Sequence, residues 1–166
     1  MKNSLISKAL ILLSLIPFFL NGQSQQDSAG NSSYYRISEA YYFENDSTTV
    51  LDNWIEQGTR MRFIPVKDSI IISIDIGSDN KVFFAGMAVG IKNPGFKSGR
   101  EDTEFYHWTF ISHIKEGIRD AYISKEYIEG SLEKLGRKYY TIHIAFPDQT
   151  EFLFYANEPK SRLRNP

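Results

Sequence analysis

Ile70-Ile71-Ile72-Ser73-Ile74-Asp75-Ile76 is the stretch on which the fold turns. Side chains alternate across an extended chain, so Ile70, Ile72, Ile74 and Ile76 share one face while Ile71, Ser73 and Asp75 share the other. A helix would scatter the same isoleucines round its circumference. The period of two therefore predicts a strand with one face in a core.

Working outward, residues 60–66 alternate more loosely, and Lys67-Asp68 supplies a turn into the isoleucine strand. Downstream, Gly77-Ser78-Asp79-Asn80 reads as a turn, and 81–91 as a strand bent at Gly86 and Gly90 and closed by Asn93-Pro94-Gly95. A charged loop over 96–104 leads to 105–114, where Tyr106, Trp108, Phe110 and Ser112 share a face. After Lys115-Glu116-Gly117 comes a looser strand, 118–128, with Tyr122, Ser124 and Glu126 set against Ile123, Lys125 and Tyr127. Residues 129–137 connect it to a final hairpin, in which Tyr140, Ile142, Ile144 and Phe146 precede the turn Pro147-Asp148-Gln149-Thr150 and Phe152 and Phe154 follow it.

With 34–44 as the first strand, about seven strands are expected. Asp46 or Ser47 would cap one short helix near 47–57, ended by Gly58, although Thr48, Thr49 and Val50 suit a strand as well. Sequential hairpins on short turns predict an all-β antiparallel meander, closed as a small barrel or folded as a sandwich.

The chain has 166 residues, with 12 Phe, 10 Tyr, 2 Trp and no Cys. Its 19 basic and 20 acidic side chains provide no basic field for nucleic acid, so no nucleic-acid partner is expected. Lys2 and Lys8, the apolar run 9–20, and Gly22 and Ser24 before a cleavage point read as a signal peptide over 1–24. Twelve residues, interrupted by Ser14 and Pro17, are too few for a span of about 20 apolar residues, so no stable membrane span is expected after cleavage. The expected organisation is then a leader over 25–33, one β-rich domain over 34–158 and a basic tail over 159–166. Removing the signal leaves 17 basic against 20 acidic residues, a mildly acidic product without disulfides to stabilise it.

The basic start, the Leu-rich stretch and the Asn21-Gly22-Gln23 junction resemble exported proteins of Bacteroidota. That resemblance covers the signal alone; it implies export, periplasmic or extracellular, and nothing about activity. In size, export and meander the chain resembles a lipocalin in architecture. It lacks the lipocalin Gly-x-Trp near the first strand, since Asp52-Asn53 precede Trp54, so the resemblance implies a barrel and no particular ligand.

Catalytic signatures are scarce. There is no cysteine nucleophile, no G-x-S-x-G and no H-E-x-x-H, and in Gly95-Phe96-Lys97-Ser98 a phenylalanine separates the glycine from the lysine of a phosphate loop. His107 and His113 share a face but stand about 20 Å apart along one strand, too far for a common metal. His113 with Glu116 and Asp120 could gather at a turn as cation ligands, or serve there as solvated polarity. His143 is expected exposed or paired across strands. A small secreted hydrolase using His107 or His113 with nearby carboxylates, including the acidic loop 100–104, is one alternative; a structural or inhibitory subunit of an envelope assembly is another. No cofactor or metal is expected.

The aromatic doublets Tyr34-Tyr35, Tyr41-Tyr42, Phe83-Phe84, Phe105-Tyr106 and Tyr139-Tyr140 are more telling. In a strand each doublet sets one large ring on each side of the sheet. One side is core; the other meets a ligand, a partner, a second layer or water. Tyrosine suits such contacts because its ring packs while its hydroxyl stays wet. The expected function is a non-enzymatic exported binding module with an aromatic-lined surface or cavity. Its partner would be a small apolar or glycan ligand, or an envelope protein. Tyr41, Trp54, Tyr106, Trp108, Tyr139 and Tyr155 are the candidate contact residues, Trp108 doubling as a core candidate and Trp54 as a pocket rim.

Overall fold

The computed structural model describes residues 32–77, 81–96, 100–112 and 117–158. The expected signal peptide over 1–24, most of the expected leader, the expected tail over 159–166, His113 and Glu116 lie outside these residues, as does most of the turn 77–80. Nine strands are present: β1 (Ser33–Glu44), β2 (Ser47–Val50), β3 (Arg60–Val66), β4 (Ser69–Ile76), β5 (Lys81–Gly90), β6 (Glu104–Ser112), β7 (Ile118–Tyr127), β8 (Tyr139–Ala145) and β9 (Glu151–Asn157). All neighbours are antiparallel, and pairing of β1 with β9 closes β1 and β3–β9 into an eight-stranded barrel, with β2 as a short extra strand on β1. The choice between barrel and sandwich is thus settled for the barrel.

β1 makes closure possible. Residues 33–36 pair with β3, residues 36–43 pair with β9, and 41–44 also pair with β2. The register against β9 shifts between Ile37 and Glu39, a bulge that lets both Ile37 and Ala40 point inward. Ser38 repairs the ladder there by donating its hydroxyl to the Tyr155 carbonyl at 3.0 Å.

The segment 47–57 divides differently from expectation. Asn45 and Asp46 both have positive φ, 47° and 60°, which makes them the two central residues of a tight hairpin instead of a helix cap. Thr48, Thr49 and Val50 continue as β2, and the helix α1 shrinks to Asp52–Glu56 with no side-chain cap at Leu51. Its Trp54 closes one end of the barrel, the base, packing against Phe152 at 5.5 Å, Phe84 at 6.3 Å and Phe154 at 6.4 Å between ring centroids. Thr59 fixes the exit from the helix: its hydroxyl bonds the Trp54 carbonyl at 2.5 Å and its own carbonyl accepts from Ile37 N–H at 3.1 Å. A second short helix, α2 (Ser131–Leu135), joins β7 to β8 at the other end, the mouth.

The barrel interior is filled by large rings facing small residues. Trp108 lies between Ala88 and Ala121 in the register and stacks on Phe110 at 4.2 Å. Trp108, Phe110, Met61, Ile123, Ile142, Ile144 and Phe154 are all 0% exposed. A void wide enough for a ligand would give its walls accessible surface, and these side chains have none. The expectation that Trp108 is core holds, and its indole N–H has no hydrogen-bond partner.

Gly86 stands opposite Phe110 where β5 and β6 approach closely. A Cβ there would lie 2.0 Å from the Thr109 carbonyl oxygen and 2.5 Å from the Phe110 Cα, both backbone atoms that cannot swing aside. Gly86→Ala is therefore expected to cost about 3 kcal/mol or to prevent folding, read as a fall in the urea midpoint.

Candidate functional site

Two places gather chemistry-bearing side chains: the barrel mouth and one outer wall. At the mouth the period of two in β7 turns Ile123 and Lys125 inward, and the register sets Lys125 opposite Glu104 on β6 and Ile142 on β8. The lysine Nζ makes an ion pair with Glu104 Oε1 at 2.9 Å and donates to the Tyr35 hydroxyl at 3.3 Å. It also lies over three ring faces, with centroids at 5.3 Å for Phe63, 5.5 Å for Tyr35 and 5.6 Å for Tyr140. An ammonium held by ring faces and one carboxylate is the geometry of a cation cage, here occupied by the chain's own lysine.

Two phenols complete this box. Tyr106 donates to Glu104 and Tyr140 donates to Glu158, the latter at 2.9 Å. Burial, followed by the hydrogen bond to Glu104 and its charge, pushes the Tyr106 phenol far above its ordinary range; burial and Glu158 do the same to Tyr140. Both phenols are thus neutral donors at any physiological pH and do not serve as bases.

The outer wall spans β6, β7, β8, β9 and β1. One rung of the register reads Phe105, Ser124, His143, Leu153, Tyr41, all facing outward. On one flank lie Thr141 and Tyr155, and on the other His107, Tyr122, Ala145, Glu151 and Phe43. The loop after β5 folds onto this wall because the Asn93 side-chain oxygen accepts the N–H groups of Gly95 and Phe96 at 2.9 and 2.8 Å. Phe96 then packs on Phe105 at 5.8 Å and on His143 at 5.2 Å, which buries the outward-facing Ser124 between them. Tyr41 and Tyr155 meet edge to face at 6.2 Å, and Tyr122 remains 40% exposed.

Of the six candidate contact residues, Tyr41, Tyr139 and Tyr155 face outward on this side, Tyr41 and Tyr155 in contact. Tyr106 lies in the mouth, Trp108 in the packed centre and Trp54 at the base, so the six do not converge on one site. Trp54 is a half-buried plug more than a pocket rim. The mouth residues Lys125, Glu104, Tyr35 and Phe63 were not among the expected contacts.

His143 pairs across strands, Nε2 to Glu151 Oε2 at 2.8 Å. His107 Nε2 is 3.4 Å from Asp120 Oδ1, which also accepts the Thr109 hydroxyl at 2.6 Å. Nucleophile activation needs the imidazole between hydroxyl and carboxylate, whereas here the carboxylate stands between the other two. Among the described residues no three His, Asp or Glu side chains are grouped to hold a metal ion.

No family model, no curated protein and no solved structure matches this chain. Its chemistry is accordingly read from its own geometry.

Removing Glu104 strands the nearly buried Lys125 charge in an interior that solvates it poorly, while replacing the lysine by an apolar isostere leaves only the Glu104 carboxylate, which water still reaches. With Glu104 half exposed, Glu104→Gln is expected to cost about 2 kcal/mol, and Lys125→Met to stay within about 1 kcal/mol of the parent or exceed it, by urea midpoint. The phenols set the alkaline limit. A tyrosine whose pKa rises on folding contributes stability that is full below its unfolded pKa of about 10 and lost as pH climbs toward the folded value. Stability should therefore fall above pH about 10, and less steeply in Tyr106→Phe, as followed by denaturant midpoints across that range.

Proposed function

We propose that the chain is an exported, non-enzymatic binding module that meets its partner on the outer aromatic wall and not inside the barrel. One observation carries this reading: the rings at the centre of the barrel, Trp108, Phe110 and Phe154, have no accessible surface, while Tyr41, Phe43, Tyr122, Tyr139 and Tyr155 retain theirs along one continuous outer side. The centre is full, Trp54 stops the base, and Lys125 in its ring cage stops the mouth. A partner must then be met on the outside.

The wall suits a glycan or an envelope protein. Tyrosine rings with polar edges, interleaved with His107, His143, Thr141 and Glu151, offer stacking faces and hydrogen bonds side by side. The polarity is that of a barrel in water: apolar rings point in, while Arg62, Asp120, Glu126 and Glu151 point out, the reverse of a membrane-spanning barrel. No helix among the described residues is long and apolar enough to cross a membrane, which by itself says nothing of strands. Export rests on the signal-like residues 1–24.

The test compares the exported chain with Tyr41→Ala/Tyr155→Ala. Both rings face outward, so the variant should melt within a few degrees of the parent. Native mass spectrometry and capture from envelope extract should show glycan or protein adducts on the parent, weakened about tenfold in the variant. A discrete small molecule retained equally by both proteins and released only on denaturation would place the ligand inside the barrel and overturn the reading.

A further inference from the structure

We propose that the open edge of β2 is a strand-addition site, at which an extended segment of the partner protein pairs with Thr48 and Val50 and so continues the tyrosine wall by one strand. This rests on the outer-wall reading and narrows it, because a protein segment carries the backbone groups that such an edge pairs with and a glycan does not. The hairpin sets which groups are free. A two-residue loop, here Asn45-Asp46, closes on a hydrogen-bonded pair, Glu44 with Ser47, and bonded and non-bonded pairs then alternate along the ladder. Tyr42 with Thr49 is the next bonded pair, and the Leu51 N–H donating to the Ala40 carbonyl at 2.9 Å continues the same alternation. The N–H and C=O groups of Thr48 and Val50 therefore point away from β1, and among the described residues no strand pairs with them there.

β2 adds nothing to the core: all four of its residues are exposed, Val50 at 53%. Its outward side chains belong to the wall instead. Val50 stands opposite Tyr41 and Thr48 opposite Phe43, so the rung His143, Leu153, Tyr41 runs on to Val50, and the neighbouring Glu151 and Phe43 run on to Thr48. Edge strands in water are blunted by a lysine, a proline, a bulge or shortness, and Ser47-Thr48-Thr49-Val50 has only the last. Four residues offer a partner two sets of backbone bonds, so affinity also draws on the rings beside them. Exposed Asp46 and Asp52 flank the strand in sequence. The segment that fits is extended, apolar or β-branched where it faces the wall, and basic at its ends.

The probe is a soluble peptide of about seven residues, alternating threonine and valine between terminal lysines, titrated into the isotope-labelled chain and followed by amide NMR; the same peptide N-methylated throughout is the control. Saturable shifts confined to β2 and its wall neighbours are expected at a Kd of about 1 mM, with none from the methylated peptide. Thr48→Pro removes an N–H that points to solvent while leaving the bonds to β1, and Val50→Lys puts a charge on the edge at an exposed position. Each should weaken the peptide at least about tenfold, and Val50→Lys decides alone if the proline disturbs the hairpin. Unchanged binding in Val50→Lys, equal binding of the methylated peptide, or shifts elsewhere on the barrel would overturn the proposal. So would a dimer of the parent that Val50→Lys dissolves, since a second copy would then fill the edge. The outer-wall reading is judged apart: an envelope protein lost by Tyr41→Ala/Tyr155→Ala but kept by both β2 variants leaves the wall standing and removes strand addition.

Discussion

Everything in this molecule follows from the seam between β1 and β9. Antiparallel pairing across 36–43 and 151–157 turns an open sheet with two unpaired edges into a barrel without them. An eight-stranded barrel is just wide enough for its own side chains, so closure also dictates what fills it. Trp108 fits because Ala88 and Ala121 flank it, and Phe110 fits because Gly86 lets β5 and β6 close up. With the interior consumed by packing, surface chemistry moves to the walls.

The two ends are stopped by opposite means. At the base an indole on a five-residue helix lies over a nest of phenylalanines, a dry contact held by area and shape. At the mouth a lysine stem fills the same kind of space, and its charge is met by Glu104 and by ring faces. Burying an ammonium is tolerable only because each of these partners is in place. The mouth is thus the more condition-sensitive stop.

Much of the fold was legible in the sequence, and for a physical reason. Period two in Ile70–Ile76 and in Tyr140–Phe146 is a local property, as are the turns at Lys67-Asp68 and Pro147–Thr150. Over 47–57 the expected short helix is present but starts later, at Asp52, and the reason is also local: Asn45-Asp46 supports a tight hairpin as readily as a cap, and β2 is held by pairing with β1, which no local pattern announces. The aromatic doublets correctly placed one ring inside and one outside, as Tyr35 against Tyr34 and Tyr106 against Phe105. The grouping of side chains was not legible. Lys125 and Tyr35 are ninety positions apart, Glu104 reads as one more charge in an acidic loop, and Arg36 comes opposite Arg60 only once β1 and β3 are in register. Spacing along a chain reports faces; it does not report neighbours.

The seam has one more consequence, in time instead of space. Its two sides lie at opposite ends of the domain, Arg36 facing Asn157, so the last strand to be made is the one that completes the first. Loop closure over such a distance is costly, and a barrel of this topology folds slowly compared with a helical domain of equal size. Until β9 arrives, β1 exposes a long unpaired edge and the inward rings have nothing to close over. During that delay the open edge of β1 is a template on which a second unfinished chain can pair.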